Sequence, residues 1–180
     1  TITPPTGLVV SRCGYSHRAS DDPIVKPGQP GAAHSHDFFG NTTTNAFSTP
    51  ASLRAGTTTC RIAGDTAAYW TPTLSSRGTA VTPAGMLAYF SGVADGTVAP
   101  MPAGLRIVAG GRDRVRWSCF DHGMPNVQKM LPLSCGPDQL LGLGVRFPEC
   151  WNGVDLDSAD HRSHLAYATD AGCPSTHPVR

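Results

Sequence analysis

Two short stretches of the 180-residue chain concentrate the side chains able to do chemistry. The first is His34-Ser-His36-Asp37. On an extended backbone, residues i and i+2 point to the same side. His34 and His36 then stand as paired imidazoles suited to one divalent metal ion, neutral imidazole being the commonest protein metal ligand. Asp37 points the other way or orients a ring. The same pair also suits a hydrogen-bonded β network, with Phe38 and Phe39 in a core. The second stretch is Asp155-Leu-Asp157-Ser-Ala-Asp160-His161-Arg162-Ser-His164, with three carboxylates and two imidazoles. Its Asp-x-Asp spacing suggests calcium, but the glycine and glutamate of the EF-hand loop are missing. His161 and His164, three apart, would share one face of a helical turn. Hydrolysis of a glycosidic bond generally uses two carboxylates across a cleft. Asp157 and Asp160 are the candidates for acid and base, with His161 and His164 orienting or tuning them. The plainer alternative is a turn-rich loop whose Asp side chains cap backbone amides, an alternative strongest for Asp155.

Other groups are weaker candidates. Asp121 and His122 are adjacent, which does not by itself put their side chains in contact. His177 lies near the end of the chain, before Pro178. Trp70, Trp151, Tyr167 and Arg54 are the candidates for holding a sugar, although tryptophans in a small β domain are more often core. Arg112, Arg114 and Arg116 alternate with Val115 and Trp117, and suit either an anionic polymer or a solvated strand face. There is no Gly-x-Ser-x-Gly elbow and no phosphate-cradling loop in the sequence.

The elements that must position these residues are short. Gly is 20 and Pro is 16, and charged residues are 15%, below the usual quarter. Glu149 is the one glutamate, and Lys26 and Lys129 are the two lysines, so two strong helix formers are scarce. Strands are expected at Leu8–Val10, Ala67–Thr71, Met86–Phe90, Gly104–Val108, Arg112–Phe120 and Gln139–Phe147, with a helical turn near Pro50–Arg54. Residues 1–33 read as extended segments and loops, and 149–164 as a long loop. A net charge of +1 argues against a generic nucleic-acid binder, and no apolar run reaches the roughly 18 residues of a membrane span. The expected fold is mostly β: a single disulfide-stapled antiparallel β-sandwich or jelly-roll-like domain over residues 1–180, with long loops.

Six cysteines, at 13, 60, 119, 135, 150 and 173, are even in number and lack any Cys-x-x-Cys motif. They read as three disulfides made in an oxidising compartment. A preference for local partners gives Cys13–Cys60, Cys119–Cys135 and Cys150–Cys173. A chain that starts at Thr1 without an apolar leader fits a secreted protein whose signal peptide has been removed. Asn41-Thr42-Thr43 is a formal glycosylation acceptor in a eukaryotic host.

The ordered blocks His34-Ser-His-Asp-Phe-Phe-Gly-Asn41, Ser52-Leu-Arg54, Thr59-Cys60, Tyr69-Trp-Thr-Pro72, Gly85-Met-Leu-Ala-Tyr89, Gly104-Leu-Arg-Ile-Val-Ala-Gly110, Val145-Arg-Phe-Pro-Glu-Cys-Trp-Asn-Gly153, Leu156 to Tyr167 and Cys173-Pro-Ser-Thr-His-Pro-Val179 resemble a secreted family. It is the domain of unknown function numbered nineteen ninety-six, found in bacteria and fungi. The resemblance brings no settled activity. It implies an extracellular or wall-associated setting, in some members beside carbohydrate-binding modules. It carries over His34, His36, Asp157, Asp160, His161, His164 and His177. Family members run on past the last block, whereas this chain stops at Arg180. Either the protein is short here, or a further strand and part of the site lie beyond it.

These observations lead to a secreted hydrolase acting on an extracellular or cell-wall polysaccharide. Its site would be built from the 34–37 and 155–164 blocks, with no nucleic-acid partner. The alternatives are a non-catalytic cell-surface or carbohydrate-binding module with a structural His/Asp or metal site, and a metal-dependent protein using His34 and His36.

Overall fold

Prolines and glycines keep the apolar runs short, and runs of that length pair as strands rather than winding into helices. The computed structural model describes residues 8–91, 101–121, 124–128 and 135–180. His122 lies outside them. The elements are β1 (Leu8–Cys13), β2 (Tyr15–Ala19), β3 (His36–Gly40), α1 (Pro50–Ala55), β4 (Ala68–Pro72), β5 (Ser75–Ser76), β6 (Thr79–Ala80), β7 (Met86–Ser91), β8 (Val115–Asp121), β9 (Met124–Gln128), β10 (Leu140–Val145), β11 (Cys150–Trp151) and β12 (Leu165–Ala166). All strand pairs are antiparallel. The protein is mostly β, and Cys13–Cys60, Cys119–Cys135 and Cys150–Cys173 are its disulfides. Among the described residues the strands fall into five sheets of two or three strands each. The chain divides into two units, Thr1–Gly104 and Leu105–Arg180.

In the first unit β3 is the middle strand of β2-β3-β4, and all five of its residues are buried. Its aromatic pair fills two places. Phe39 packs with Cys13, Cys60, Tyr15, Tyr69 and Met86, while Phe38 lies 4.8 Å from the His17 ring and 5.8 Å from Trp70. The polar half of β3 is paired. Arg18 Nε donates to Asp37 at 2.7 Å, and His36 Nδ1 donates to the Asp21 carbonyl at 2.8 Å. Gly40 ends the strand at a φ of 75°, where a Cβ would stand 2.6 Å from the Ala67 carbonyl, so glycine is required.

Asn41 follows, wholly buried. Its Nδ2 donates to the carbonyls of Leu53 and Thr66, and its Oδ1 accepts from the Thr43 amide and hydroxyl. One side chain thus ties the end of β3, helix α1 and the 57–66 loop together. A glycan on Asn41 would displace these bonds, so this fold holds the residue unmodified. Helix α1 begins at a Thr49–Ser52 capping box with Pro50 in its first turn, and ends at Gly56.

In the second unit β8 is central to β10-β8-β9. Gly142 leaves room for the Phe120 ring, which a Cβ there would strike. Two strand expectations need correcting. Arg112–Arg114 form a 3-10 turn, so strand alternation starts only at Val115. Gly104–Val108 is not a strand, because Arg106 bonds through its amide to the Leu156 carbonyl and through its own carbonyl to His164. A loop takes the partners that a neighbouring strand would have used. Strand β2 lies within the segment expected to be loop. All its residues are half-buried, so no alternation marks it.

Replacing Asn41 with alanine removes the side-chain donor to the Thr66 carbonyl and leaves the Leu53 carbonyl with the Gly56 amide alone. The expected loss is about 1–3 kcal/mol, read as a lower denaturation midpoint for Asn41→Ala under oxidising conditions.

Candidate functional site

The second polar stretch is a loop with a closed neck. Strands β11 and β12 pair with Cys150 opposite Ala166 and Trp151 opposite Leu165. The Asn152 amide donates to the His164 carbonyl at 3.0 Å. Residues 153–163 are therefore an Ω-type excursion whose ends meet.

Turn chemistry shapes it. Asn152 Oδ1 accepts from the amides of Val154 and Asp155, its Nδ2 donates to the Asp155 carboxylate, and Trp151 Nε1 donates to the Asp155 carbonyl. Asp160 Oδ1 accepts from the amides of Ser163 (2.8 Å) and Arg162 (3.0 Å) and from the Ser158 hydroxyl (2.8 Å). Those donors, the Ser163 amide first, hold the Asp160 carboxyl well below the usual carboxylate range. His164 is 1% exposed. Its Nε2 donates to the Arg106 carbonyl at 2.7 Å, and its Nδ1 bonds Ser158 Oγ at 2.8 Å.

Asp157 and His161 form a separate unit inside this loop. His161 Nδ1 donates to both Asp157 oxygens, at 2.9 and 3.1 Å, and Arg106 Nη1 donates to Asp157 Oδ2 at 3.0 Å. Burial alone would raise the Asp157 carboxyl. The His161 hydrogen bond, the Ser158 amide and the charges of His161 and Arg106 together outweigh it and hold it below the usual range. The His161 backbone sits at a φ of 57°, a left-handed conformation that costs a non-glycine residue about 1–2 kcal/mol. With Nδ1 bonded to the carboxylate, Nε2 is the ring nitrogen left over. Among the described residues Nε2 has no hydrogen-bond partner, and the His161 side chain is 24% exposed. The result is an imidazole aimed by a carboxylate, with one nitrogen open.

The remaining expected residues are placed as follows. His177 bonds Thr176 Oγ1 and the Ser163 carbonyl, so both its nitrogens are occupied. Tyr167 lies under Arg114, whose guanidinium carbon is 4.1 Å from the ring centre, and its hydroxyl donates to the Arg146 carbonyl. Trp151 is half-buried. In the first unit, Trp70 packs on Phe38 and Arg54 is exposed in the last turn of α1. His34 is exposed there, with its ring 4.3 Å from that of His36. Burial moves the His36 imidazole below its ordinary value, and its Nδ1 proton goes to Asp21. The alternation expected of His34 and His36 therefore gives two neighbouring rings. Among the described residues, the only group of three close metal-type ligand atoms is Cys13, Cys60 and Asp65, and its sulfurs are already bonded to each other.

Two residues were not weighed from sequence. Ser158 lies inside the polar block and joins Asp160 to His164. Arg106, 51 residues from Asp157, leaves no spacing signal. His161 and His164 do not share a helical face, because turns rather than helix separate them.

A family model described as "Domain of unknown function (DUF1996)" matches residues 22–180. No curated protein and no solved structure matches the chain.

The lowered Asp157 and Asp160 carboxyls give a signed pH dependence. A depressed folded value adds stability above the unfolded value, near 4, and that stability is lost as pH falls through the folded value. Acid titration of unfolding should therefore show a stability decline below about pH 4, shallower in Asp160→Asn. His164→Phe, which keeps an aromatic but no partner for the Arg106 carbonyl, should cost about 2–4 kcal/mol, measured by denaturant unfolding.

Proposed function

The chain belongs to the DUF1996 family, and from that premise we propose a secreted hydrolase acting on an extracellular or cell-wall polysaccharide, with Asp157 and His161 at its centre. The observation that carries this reading is the Asp157–His161 hydrogen bond with His161 Nε2 left open. Three disulfides support an oxidising, extracellular setting.

The chemistry follows from the geometry. Nε2 takes a proton from a water molecule as that water's oxygen bonds to the anomeric carbon and the glycosidic carbon–oxygen bond breaks in the same step. The leaving-group oxygen takes its proton from a second water, and the imidazolium returns its own to solvent. Asp157 keeps Nδ1–H in place and stabilises the imidazolium, the role a carboxylate plays behind a catalytic histidine. Arg106 holds Asp157 as a carboxylate. In this scheme Asp160 and His164 shape the loop, and Asp157 orients rather than transferring the proton. His34 and His36 remain the place for a divalent ion, with two ligands from the protein.

A second reading rests on a specific observation: Asp160, His164 and His177 are all bound to backbone groups. A site whose polar groups are so largely structural also suits a non-catalytic module that binds glycan.

Release of reducing ends from cell-wall polysaccharides separates the two. His161→Gln and Asp157→Asn should each lower turnover about 10²- to 10⁴-fold with glycan affinity little changed. Wild-type protein that binds glycan but cuts none, with affinity kept in both variants, would make it the binding module.

A further inference from the structure

Three of the fourteen basic residues meet on one side of the β8–β10 pair. In the register, Gly144 stands opposite Arg116 and Val145 opposite Val115. One pair further on, the Arg146 amide donates to the Arg114 carbonyl at 2.9 Å. Residues directly opposite each other project to the same side of a sheet. Arg116 therefore shares a side with Gly144, and Arg114 and Arg146, just beyond the paired strands, line the same hollow. With Val145 they line an open hollow of about 230 Å³, against the roughly 30 Å³ that a water occupies in the liquid. Gly144 keeps the floor clear, since a Cβ there would meet only the Arg116 carbonyl, at 3.7 Å.

Like charges facing each other across two strands are destabilising, so this grouping calls for counter-charge. Two local carboxylates contribute. Asp113 reaches Arg114 at 3.0 Å and is 69% exposed, and Glu149 pairs with Arg146. Tyr167 orders the cations beforehand, its ring 4.1 Å from the Arg114 guanidinium carbon and 5.9 Å from that of Arg146. Arg116 is exposed beside them. Ordered guanidinium forks suit carboxylate and sulfate oxygens, and ordering them in advance lowers the entropy lost on binding.

We infer that this hollow binds the carboxylate or sulfate groups of an acidic polysaccharide. The choice of a polysaccharide rests on the function proposed above, whereas the anion site stands on the arginines. A whole-chain charge of +1 supplies no extended basic track of the kind that follows a nucleic-acid backbone, which favours a polymer with spaced charges.

The test uses the full chain carrying His161→Gln, so that polymer stays uncut. It is titrated with polygalacturonate and with heparin, and, for comparison, with a neutral β-glucan and single-stranded DNA, at low and high salt. Either acidic polysaccharide should bind at low salt and weaken as salt rises. Polygalacturonate alone would assign carboxylate recognition, and heparin alone would assign sulfate. Arg116→Gln should weaken binding about tenfold. Gly144→Asp, which places a carboxylate in the hollow, should weaken it at least as much. Arg61→Gln, an exposed arginine of the first unit, should leave it unchanged. Far-UV circular dichroism confirms that each variant folds. Failure of both polymers to bind, binding unaffected by Arg116→Gln and Gly144→Asp, or tighter binding of DNA would overturn the inference. Acidic-polymer binding by this variant, with no cleavage of any glycan by the wild type, leaves the anion site standing and removes the hydrolase. Cleavage of neutral glycan without acidic-polymer binding does the reverse.

Discussion

A buried imidazole must find partners for both ring nitrogens, and in the second unit that constraint organises the loop carrying the candidate site. His164 is hidden from water and reaches the Arg106 carbonyl on one side and Ser158 on the other. The Arg106 backbone is thereby held against the loop, and the Arg106 side chain is left within reach of Asp157. Ser158 in turn meets Asp160, which gathers two amides of the following turn. Leaving a ring nitrogen of the buried His164 unpaired would cost about 1–3 kcal/mol, so the network favours one arrangement of the loop. Asn41 plays the same part in the first unit, where one amide side chain satisfies groups from three segments. In both units, buried polar side chains supplement a small apolar core.

This division bears on the functional reading. Within one run of ten residues, His164 and Asp160 are saturated by local bonds, whereas His161 is bonded on one nitrogen only. The saturated members give the loop its rigidity. The unsaturated one sits in a left-handed backbone conformation that only a well-braced loop sustains. Bracing and reactivity are assigned to different residues of the same type, and local hydrogen-bond supply decides which residue does which.

Much of the fold was legible in the sequence. Strands β1, β4, β7 and β10 follow from short apolar runs bounded by turn residues, and the three disulfides follow from a preference for near partners. Strand β2 was not legible, because Tyr15–Ala19 is half-buried throughout and carries no alternation. The Gly104–Val108 run looks apolar enough for a strand, but its hydrogen bonds go to a loop too distant in sequence to be anticipated. The site was legible as a block and not as a geometry. Residue types marked the 155–164 stretch, while the separation of His161 from His164 depends on a left-handed turn and on Arg106, neither of which leaves a pattern.

The account centres on one open imidazole nitrogen at His161 and none at His164. Acylation of the folded protein with diethyl pyrocarbonate, mapped by mass spectrometry, reads this directly, because the reagent marks accessible unprotonated imidazole nitrogens. The account predicts modification of His161 while His164 is spared until the protein unfolds. An inert His161, or a His164 modified as fast as His161 in the folded protein, would contradict it.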